Sequence, residues 1–436
     1  GHKIGLNEVA LLNRFGQVLK ASDADLGAAA VDPSAGVPAA MTDSWSSVNL
    51  IDTEAENAWP IVTFSYVYVD SDLASFGQSG ALLKALLEFL LSDECQGTGS
   101  DDGHMAEFGF KPLPAGLRAT AQAFVSGLTL HAEASPFTFE TSTEYETGAG
   151  DYVISKKRSR WTSYILDGLT DSIDGIEQDT LGSRVSALES YHHEEEGDGI
   201  QQLHGSGTTN PSKLLWKALD LMEERTKVPF HGTYRAIGSG GGQAEFLGKN
   251  NDYLPYNHFG AGDIPIKAAD FENATTIGGR TFAHIPIVVG GISIFHSVQI
   301  ADGLEVALSP CLLAKVFQRN ITMWDHPDIL AENPTVSDQL TGHAINVVVR
   351  RLGSSSTSLT TKYLLQACPS VWVIGAGKGG SPTKAPFWPT DVNVAEGSDG
   401  IAGFLNSNPY SIGYVDSGHG HKIGLNEVAL LNRFGQ

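Results

Sequence analysis

Three loops rich in glycine and serine each stand directly before a predicted helix. Their sequences are Gly-Ser-Gly-Thr-Thr-Asn-Pro (205–211), Gly-Ser-Gly-Gly (238–241) and Gly-Ser-Ser-Ser-Thr (353–357). The first amides of a helix have no intrahelical partner and carry about half a positive charge, so they attract anions. A single loop of this kind is usually only a turn or a cap. Three of them, with Arg350 and Arg351 just before the third, predict a site for a tetrahedral oxyanion.

An aspartate accompanies these donors. Asp263 stands in the segment Phe-Gly-Ala-Gly-Asp-Ile-Pro (259–265). A carboxylate beside an anion is costly unless the anion carries a proton that it can donate to that carboxylate. Monohydrogen phosphate has such a proton at neutral pH and sulfate has none, so Asp263 would favour phosphate over sulfate. Taken alone, Asp263 is more typical of a turn or a helix cap than of a ligand site.

The elements that must position these loops alternate along the chain. Apolar spacing predicts helices at 212–226, 309–319, 355–367 and 399–406, and strands at 229–237, 284–289, 293–298, 345–350 and 411–415. The earlier part of the chain predicts a strand at 59–69 and helices at 80–92 and 116–131. Strands that alternate with helices indicate an α/β fold with a largely parallel sheet.

Composition limits the classes of partner. The chain has 436 residues, is 41% hydrophobic and carries a formal net charge of −22, which disfavours nucleic acid and acidic membrane surfaces. No apolar run is long enough to span a bilayer. The cysteines are Cys95, Cys311 and Cys368, so one Cys311–Cys368 bridge and buried free thiols both remain open. The sequons at Asn273 and Asn320 are candidate N-glycosylation sites of an extracellular protein.

Two histidine-containing segments were considered as metal sites. His419 and His421 lie in one glycine-rich loop, and His192 and His193 precede three glutamates. Both patterns are more typical of solvated polar loops than of metal sites. No metal or other cofactor is therefore expected, and phosphate is the expected ligand.

The two ends of the sequence are identical. Residues 1–17 recur unchanged as residues 420–436, which predicts a window cut from a tandem array with a period of 419 residues. A cloning duplication is the alternative. The predicted domains are 1–131, the rear part of one repeated domain; 132–199, a partly β connector; and 200–436, the front part of the next domain.

The quoted segments resemble the bacterial periplasmic phosphate-binding proteins. The loops at 205–211, 234–242, 259–265 and 348–357 are similar to the ligand loops of that family. Ser-Ile-Gly-Tyr-Val (411–415) and Ala-Trp-Pro-Ile (58–61) are similar to two later landmarks. The resemblance implies a two-lobed Venus-flytrap fold, circularly permuted across the repeat, with lobes 200–290 plus 60–131 and 291–436 plus 18–58. It places the phosphate contacts on Thr209, Asn210, Ser239, Asp263, Arg351, Ser355, Ser356 and Thr357.

Three functions were weighed from these patterns. The first is a non-enzymatic structural unit of an extracellular filament or surface coat, similar to tandem domains of microalgal surface proteins, with copies of itself as partners that complete each lobe. The second is a high-affinity phosphate-binding protein. The third is a phosphate-ester hydrolase, which is disfavoured because no nucleophile signature such as G-x-S-x-G is present.

Overall fold

The computed structural model describes residues 24–55, 58–98, 102–140, 151–155, 200–301, 304, 306–380 and 383–418. It also places the backbone of four short strands at 11–12, 18–19, 426–427 and 429–430.

The strands are numbered in chain order. They are β1 Leu11–Leu12, β2 Val18–Leu19, β3 Val62–Asp70, β4 Thr138–Phe139, β5 Val153–Ile154, β6 Gln201–Gly207, β7 Phe230–Ala236, β8 Phe259–Gly262, β9 Phe282–His296, β10 Ala307–Leu308, β11 Asn346–Arg350, β12 Asn393–Ala395, β13 Ser411–Asp416, β14 Asn426–Glu427 and β15 Ala429–Leu430.

The described α-helices are likewise numbered in chain order. They are α1 Leu26–Val31, α2 Gln78–Leu90, α3 Asp93–Gln96, α4 Gly103–Ala106, α5 Ala115–Ser126, α6 Ser212–Arg225, α7 Ser239–Leu247, α8 Ala268–Thr276, α9 Pro310–Phe317, α10 Pro327–Glu332, α11 Ser337–Leu340, α12 Ser355–Ala367 and α13 Gly397–Ser407.

One large sheet runs through the molecule in the order β12-β11-β13-β9-β3-β8-β6-β7. The pairs β6–β7, β6–β8, β11–β13 and β11–β12 are parallel, whereas β3 and β9 are antiparallel to their neighbours. Helices accompany the parallel strands, which confirms the predicted α/β class.

The long strand β9 divides this sheet into two lobes. Its first part pairs with β3 as far as Gly291, and its last part, Ile292 to His296, pairs with β13. All fifteen of its residues are buried, as expected for a central strand covered on both faces. Trp59 fixes the crossing point, because its indole nitrogen donates to the carbonyl oxygen of Ile292 at 3.1 Å. The first lobe holds β3 and β6–β8, and the second holds β11–β13, in agreement with the predicted two-lobed architecture.

The sequence predicted two strands, 284–289 and 293–298, where the structure has β9 alone. Gly290 and Gly291 lie in the gap between the two predicted strands. Both glycines remain paired with β3, and they leave room for large rings instead. A Cβ on Gly290 would lie 3.2 Å from the ring of Phe110, and one on Gly291 would lie 3.2 Å from Trp59.

The segment before residue 132 completes the first lobe within this chain. β3 lies between β8 and β9 and pairs with both of them. The sequence predicted that a neighbouring copy would complete each lobe, and the structure differs because β3 of the same chain fills that place. The domain boundaries at 131/132 and 199/200, the circular permutation and the tandem array stay predictions.

The predicted connector is described only at 132–140 and 151–155, where β4 and β5 form a short parallel pair. The disulfide expected as one alternative is present: Cys311 of α9 is bonded to Cys368 at the end of α12, with the two Cα atoms 5.3 Å apart. Cys95 is a buried free thiol. Within the described ranges, no helix is long and apolar enough to cross a membrane.

Candidate anion-binding site

The three predicted loops meet between the lobes. The hydroxyl of Ser239, at the start of α7, accepts from the amide of Asp263 at 3.2 Å. The hydroxyl of Ser355, at the start of α12, donates to the Asp263 carboxylate at 2.5 Å. A fourth helix start joins them, since Ser398 of α13 lies 3.3 Å from the hydroxyl of Thr209. We call Thr208–Asn210, Ser239, Asp263, Arg350 and Ser354–Thr357 the cradle.

Close packing around Gly207 brings α7 to the end of β6. Gly207 has a φ of 153°, and a Cβ there would collide with the backbone of Ala261. A Cβ on Gly242, in the first turns of α7, would collide with the Cα of Gly207. The glycines therefore allow the start of this helix to reach the cradle.

Asp263 lies at the centre of the cradle and is fully buried. Its Oδ1 accepts from Ser65 at 2.7 Å. Its Oδ2 accepts from Thr208 at 2.5 Å, from the Asn210 side-chain amide at 2.9 Å and from Ser355. Donors from both lobes thus converge on one carboxylate.

The ionisation of Asp263 reflects two opposing effects. Burial raises the pKa of its carboxyl group above the usual value, while the hydroxyls of Ser355, Thr208 and Ser65 and the charge of Arg350 lower it. Burial is the largest of these effects, because a charged carboxylate loses its hydration when it is enclosed. Asp263 is consequently suited to share a proton with a ligand.

Arg350, and not its neighbour Arg351, belongs to the cradle. Arg350 is only 4% exposed, and its Nη2 lies 3.4 Å from the hydroxyl of Thr209. The predicted ligand Arg351 is exposed just beyond the end of β11. Neighbouring residues of an extended chain point to opposite sides, so only one of the two can face the cleft. A phosphate contact from Arg351 stays a prediction, and the structure adds the buried Arg350 as a candidate for that role.

Several cradle donors have no partner among the described residues. They are the Nε of Arg350 and the hydroxyls of Ser354 and Ser356, and all three side chains are buried. An unpaired buried donor costs about 1–3 kcal/mol, and more when it is charged. The cradle therefore offers hydrogen bonds that an anion can accept.

The remaining predicted contacts are also placed here. Thr209 and Asn210 are half-buried, and Thr357 is fully buried with its hydroxyl 2.6 Å from that of Tyr414. Ser65 and Ser398 were missed from the sequence, because no pattern links these distant hydroxyls to the loops. Thr208 stands in the first loop, at 205–211, but only its neighbour Thr209 was predicted as a contact. The sequence shows that two arginines, Arg350 and Arg351, precede the third loop, but it does not show which of them faces the cleft.

The other candidate sites fall outside the cradle. His192, His193, His419 and His421 lie outside the described residues, and the rest of the described chain holds no cluster of three or more metal-ligating side chains. Asn273 lies within α8, half-buried, and Asn320 lies exposed after α9. Glycosylation of either asparagine stays a prediction.

Fold and site together define a two-lobed α/β binding protein with an anion cradle between its lobes. The family model of the PBP superfamily domain matches residues 193–434, more than half of the chain. The chain belongs to this superfamily.

The proteins with similar sequences or folds are described as phosphate-binding proteins. The phosphate-binding protein PstS of Haemophilus influenzae is 32% identical over 233 residues, which are 53% of this chain and 63% of that protein. PstS of Pasteurella multocida is 30% identical, covering 54% of this chain and 62% of the relative. The chain thus spans less than two thirds of the length of these relatives. A solved phosphate-binding protein from Stenotrophomonas maltophilia is 17% identical, with a TM-score of 0.35 over 52% of this chain and 64% of that one.

These relatives correct the first functional prediction. They are described as phosphate-binding proteins, neither as filament subunits nor as enzymes. The prediction of a chiefly structural filament unit is wrong, and the alternative of a phosphate-binding protein agrees better with the relatives.

Proposed function

We propose that this protein binds inorganic phosphate in the cradle between its lobes and performs no chemistry on it. The observation that carries the proposal is the buried Arg350, whose Nε lacks a partner beside the unpaired hydroxyls of Ser354 and Ser356. A guanidinium combined with helix-start amides is a favourable environment for a tetrahedral dianion. The names of the relatives support the same ligand.

Asp263 would select the protonated anion. Its carboxylate already accepts four hydrogen bonds from protein donors, including the one from Ser355 of the second lobe. Monohydrogen phosphate can replace one of these donors with its own hydroxyl, and its other oxygens can accept the hydroxyl that is released. Sulfate can accept but cannot donate, so it would leave the Asp263 acceptor facing a negative oxygen.

We place this function outside the cytoplasm. The Cys311–Cys368 disulfide supports that location, since structural disulfides persist mainly in oxidising compartments.

Calorimetric titration of the full chain at pH 7 with phosphate and with sulfate tests the proposal. We expect phosphate to bind with one site per chain and sulfate to bind at least about fivefold and up to about 150-fold more weakly, because the unmatched acceptor costs about 1–3 kcal/mol. Asp263→Asn should reduce this discrimination, since an amide can donate to sulfate. The proposal fails if phosphate releases no binding heat, or if the two anions bind equally well.

A further inference from the structure

A cavity of about 310 Å³ lies beside the cradle, between the two lobes. Its volume is at the lower end of the range for small-molecule pockets, ~300–1,000 Å³. The first lobe contributes β3 and the segment after Asp263, and the second contributes one face of α12 and residues 376–378. Residues 46–51 close it near the crossing point of the lobes. Asp263 belongs to the cradle and also lines this cavity.

Three lysines line this space, which we call the lysine cavity. Lys267 comes from the first lobe, and Lys362 and Lys378 come from the second. Burial lowers the pKa of Lys362. Burial, and to a lesser degree the nearby charge of Lys267, lowers the pKa of Lys378 to about 8. The lowered pKa values of Lys362 and Lys378 indicate that these ammonium groups have little hydration and little compensating negative charge nearby.

The described residues do not neutralise this positive charge. Asp263 is the carboxylate in the lining, and its oxygens are already occupied by four donors. Asp270 favours the charged form of Lys378, but it is paired with Lys249 at 3.7 Å. Among the ion pairs of the described chain, none includes Lys267, Lys362 or Lys378. Like charges gathered in a partly enclosed space repel one another, so a bound anion would stabilise them.

The remainder of the lining mixes polar side chains, such as Asn49 and Thr63, with an apolar surface. It includes Val48, Leu50, Ile51, Val62 and Leu359. Inorganic phosphate would leave the apolar part of this surface uncovered, whereas an anion with a hydrocarbon body would bury it and be stabilised in proportion to the area covered.

We propose that the lysine cavity is a second binding site, separate from the cradle, for a small organic dianion with an apolar body. Its charged groups would be held by lysines from both lobes, so the ligand would connect the lobes across their interface. This inference does not depend on phosphate binding in the cradle, because Thr209, Arg350 and Ser356 are not part of the cavity lining.

The probe that tests this site is phthalate, a planar aromatic dicarboxylate that does not have the shape of phosphate. Calorimetry on the full chain at pH 7 should detect one phthalate per chain, both without phosphate and with phosphate at saturation. Lys362→Gln should weaken phthalate binding by at least about tenfold, since a charge pair is lost in a partly desolvated site. Lys267 is exposed, so Lys267→Gln should weaken it less, by about three- to fivefold.

The matched control is Lys384→Gln. Lys384 is exposed and close enough to influence Lys378, but it does not line the cavity. We expect the phthalate affinity of this variant to lie within about twofold of that of the unchanged protein, because solvent screens the charge of an exposed lysine. Circular dichroism checks that the variants fold. If Lys362→Gln does not fold, the phthalate affinity of Lys267→Gln provides the test instead.

Three results would overturn the inference: no phthalate binding, equal binding by the Lys362→Gln and Lys267→Gln variants and the unchanged protein, or complete displacement of phthalate by phosphate. Phosphate titrations of the same variants separate the two sites, because Lys362→Gln should leave phosphate affinity unchanged. A chain that binds phthalate but no phosphate would refute the proposed function alone.

Discussion

At the scale of single residues, Arg350 and Asp263 set the character of the cradle. Both are buried, they carry opposite charges, and each favours the charged form of the other. A buried guanidinium with an unpaired Nε has more to gain from an added anion than an exposed one, because water does not already solvate it. We therefore assign the phosphate-binding role to Arg350, although the family resemblance pointed to Arg351.

The two arginines provide a matched pair of variants. Arg350→Gln should weaken phosphate binding by at least about 30-fold, because losing one partner of a buried charge pair costs about 2–5 kcal/mol. Arg351→Gln removes the same charge from an exposed position and should change the affinity by less than about threefold. Phosphate titration of both variants measures this difference. A loss confined to Arg351→Gln would return the role to the residue first predicted.

Sequence patterns were informative for the loops but not for the groups that support them. Ser239, Asp263 and Ser355 could be predicted because each stands in a glycine-rich segment next to a helix. Ser65 could not, since it is an ordinary hydroxyl whose importance comes only from its distance to the Asp263 carboxylate. Thr208 stands in the first glycine-rich loop, but the sequence does not show that it, as well as Thr209, takes part in the cradle. Which of two adjacent arginines faces inward depends on where β11 ends, and strand ends are poorly defined by sequence.

At the scale of elements, β9 carries the structural connection between the lobes. It pairs with β3 in one lobe and with β13 in the other. Its two histidines, His284 and His296, lie in different lobes and are both buried. Burial lowers the pKa of each to about 3, so both are neutral in the folded protein at ordinary pH.

These two histidines predict that acid destabilises the fold. Between pH 6.5 and about 3 the unfolded chain binds protons on them and the folded chain does not, so the free energy of unfolding falls as the pH falls. Each histidine contributes at most about 1.4 kcal/mol per pH unit. Urea unfolding at pH 7 and pH 5 should show a smaller loss in His284→Gln than in the unchanged protein. The exposed His231→Gln is the control, and an equal loss in both variants would contradict the account.

Most helices and strands of the core were predictable because their apolar residues recur at regular spacing. α6 and α12 begin and end within a residue or so of the predicted limits. The continuity of β9 through residues 290 and 291 was not predictable, because a Gly-Gly pair usually signals a turn. Here the pair remains in the ladder, and tertiary packing of Phe110 and Trp59 against the two glycines decides the outcome.

At the scale of the whole molecule, the lobes are joined across the ligand cleft as well as through β9. Ser355 of the second lobe donates to Asp263 of the first, and the ammonium of Lys378 donates to the side-chain carbonyl of Gln243. The alternating pattern of strands and helices predicted the α/β class, and the family resemblance implied the two lobes. The place of β3 in the middle of the sheet could not be derived from order along the chain, because β3 precedes every strand with which it pairs.

The central claim is that phosphate lies in the cradle between the lobes, and a crystal structure of the full chain grown with saturating phosphate tests it most directly. We expect one tetrahedral anion within hydrogen-bond distance of Arg350, Thr209 and Ser356, with one of its hydroxyls facing the Asp263 carboxylate. An empty cradle under those conditions, or a phosphate held by Arg351 on the outer surface, would contradict the account.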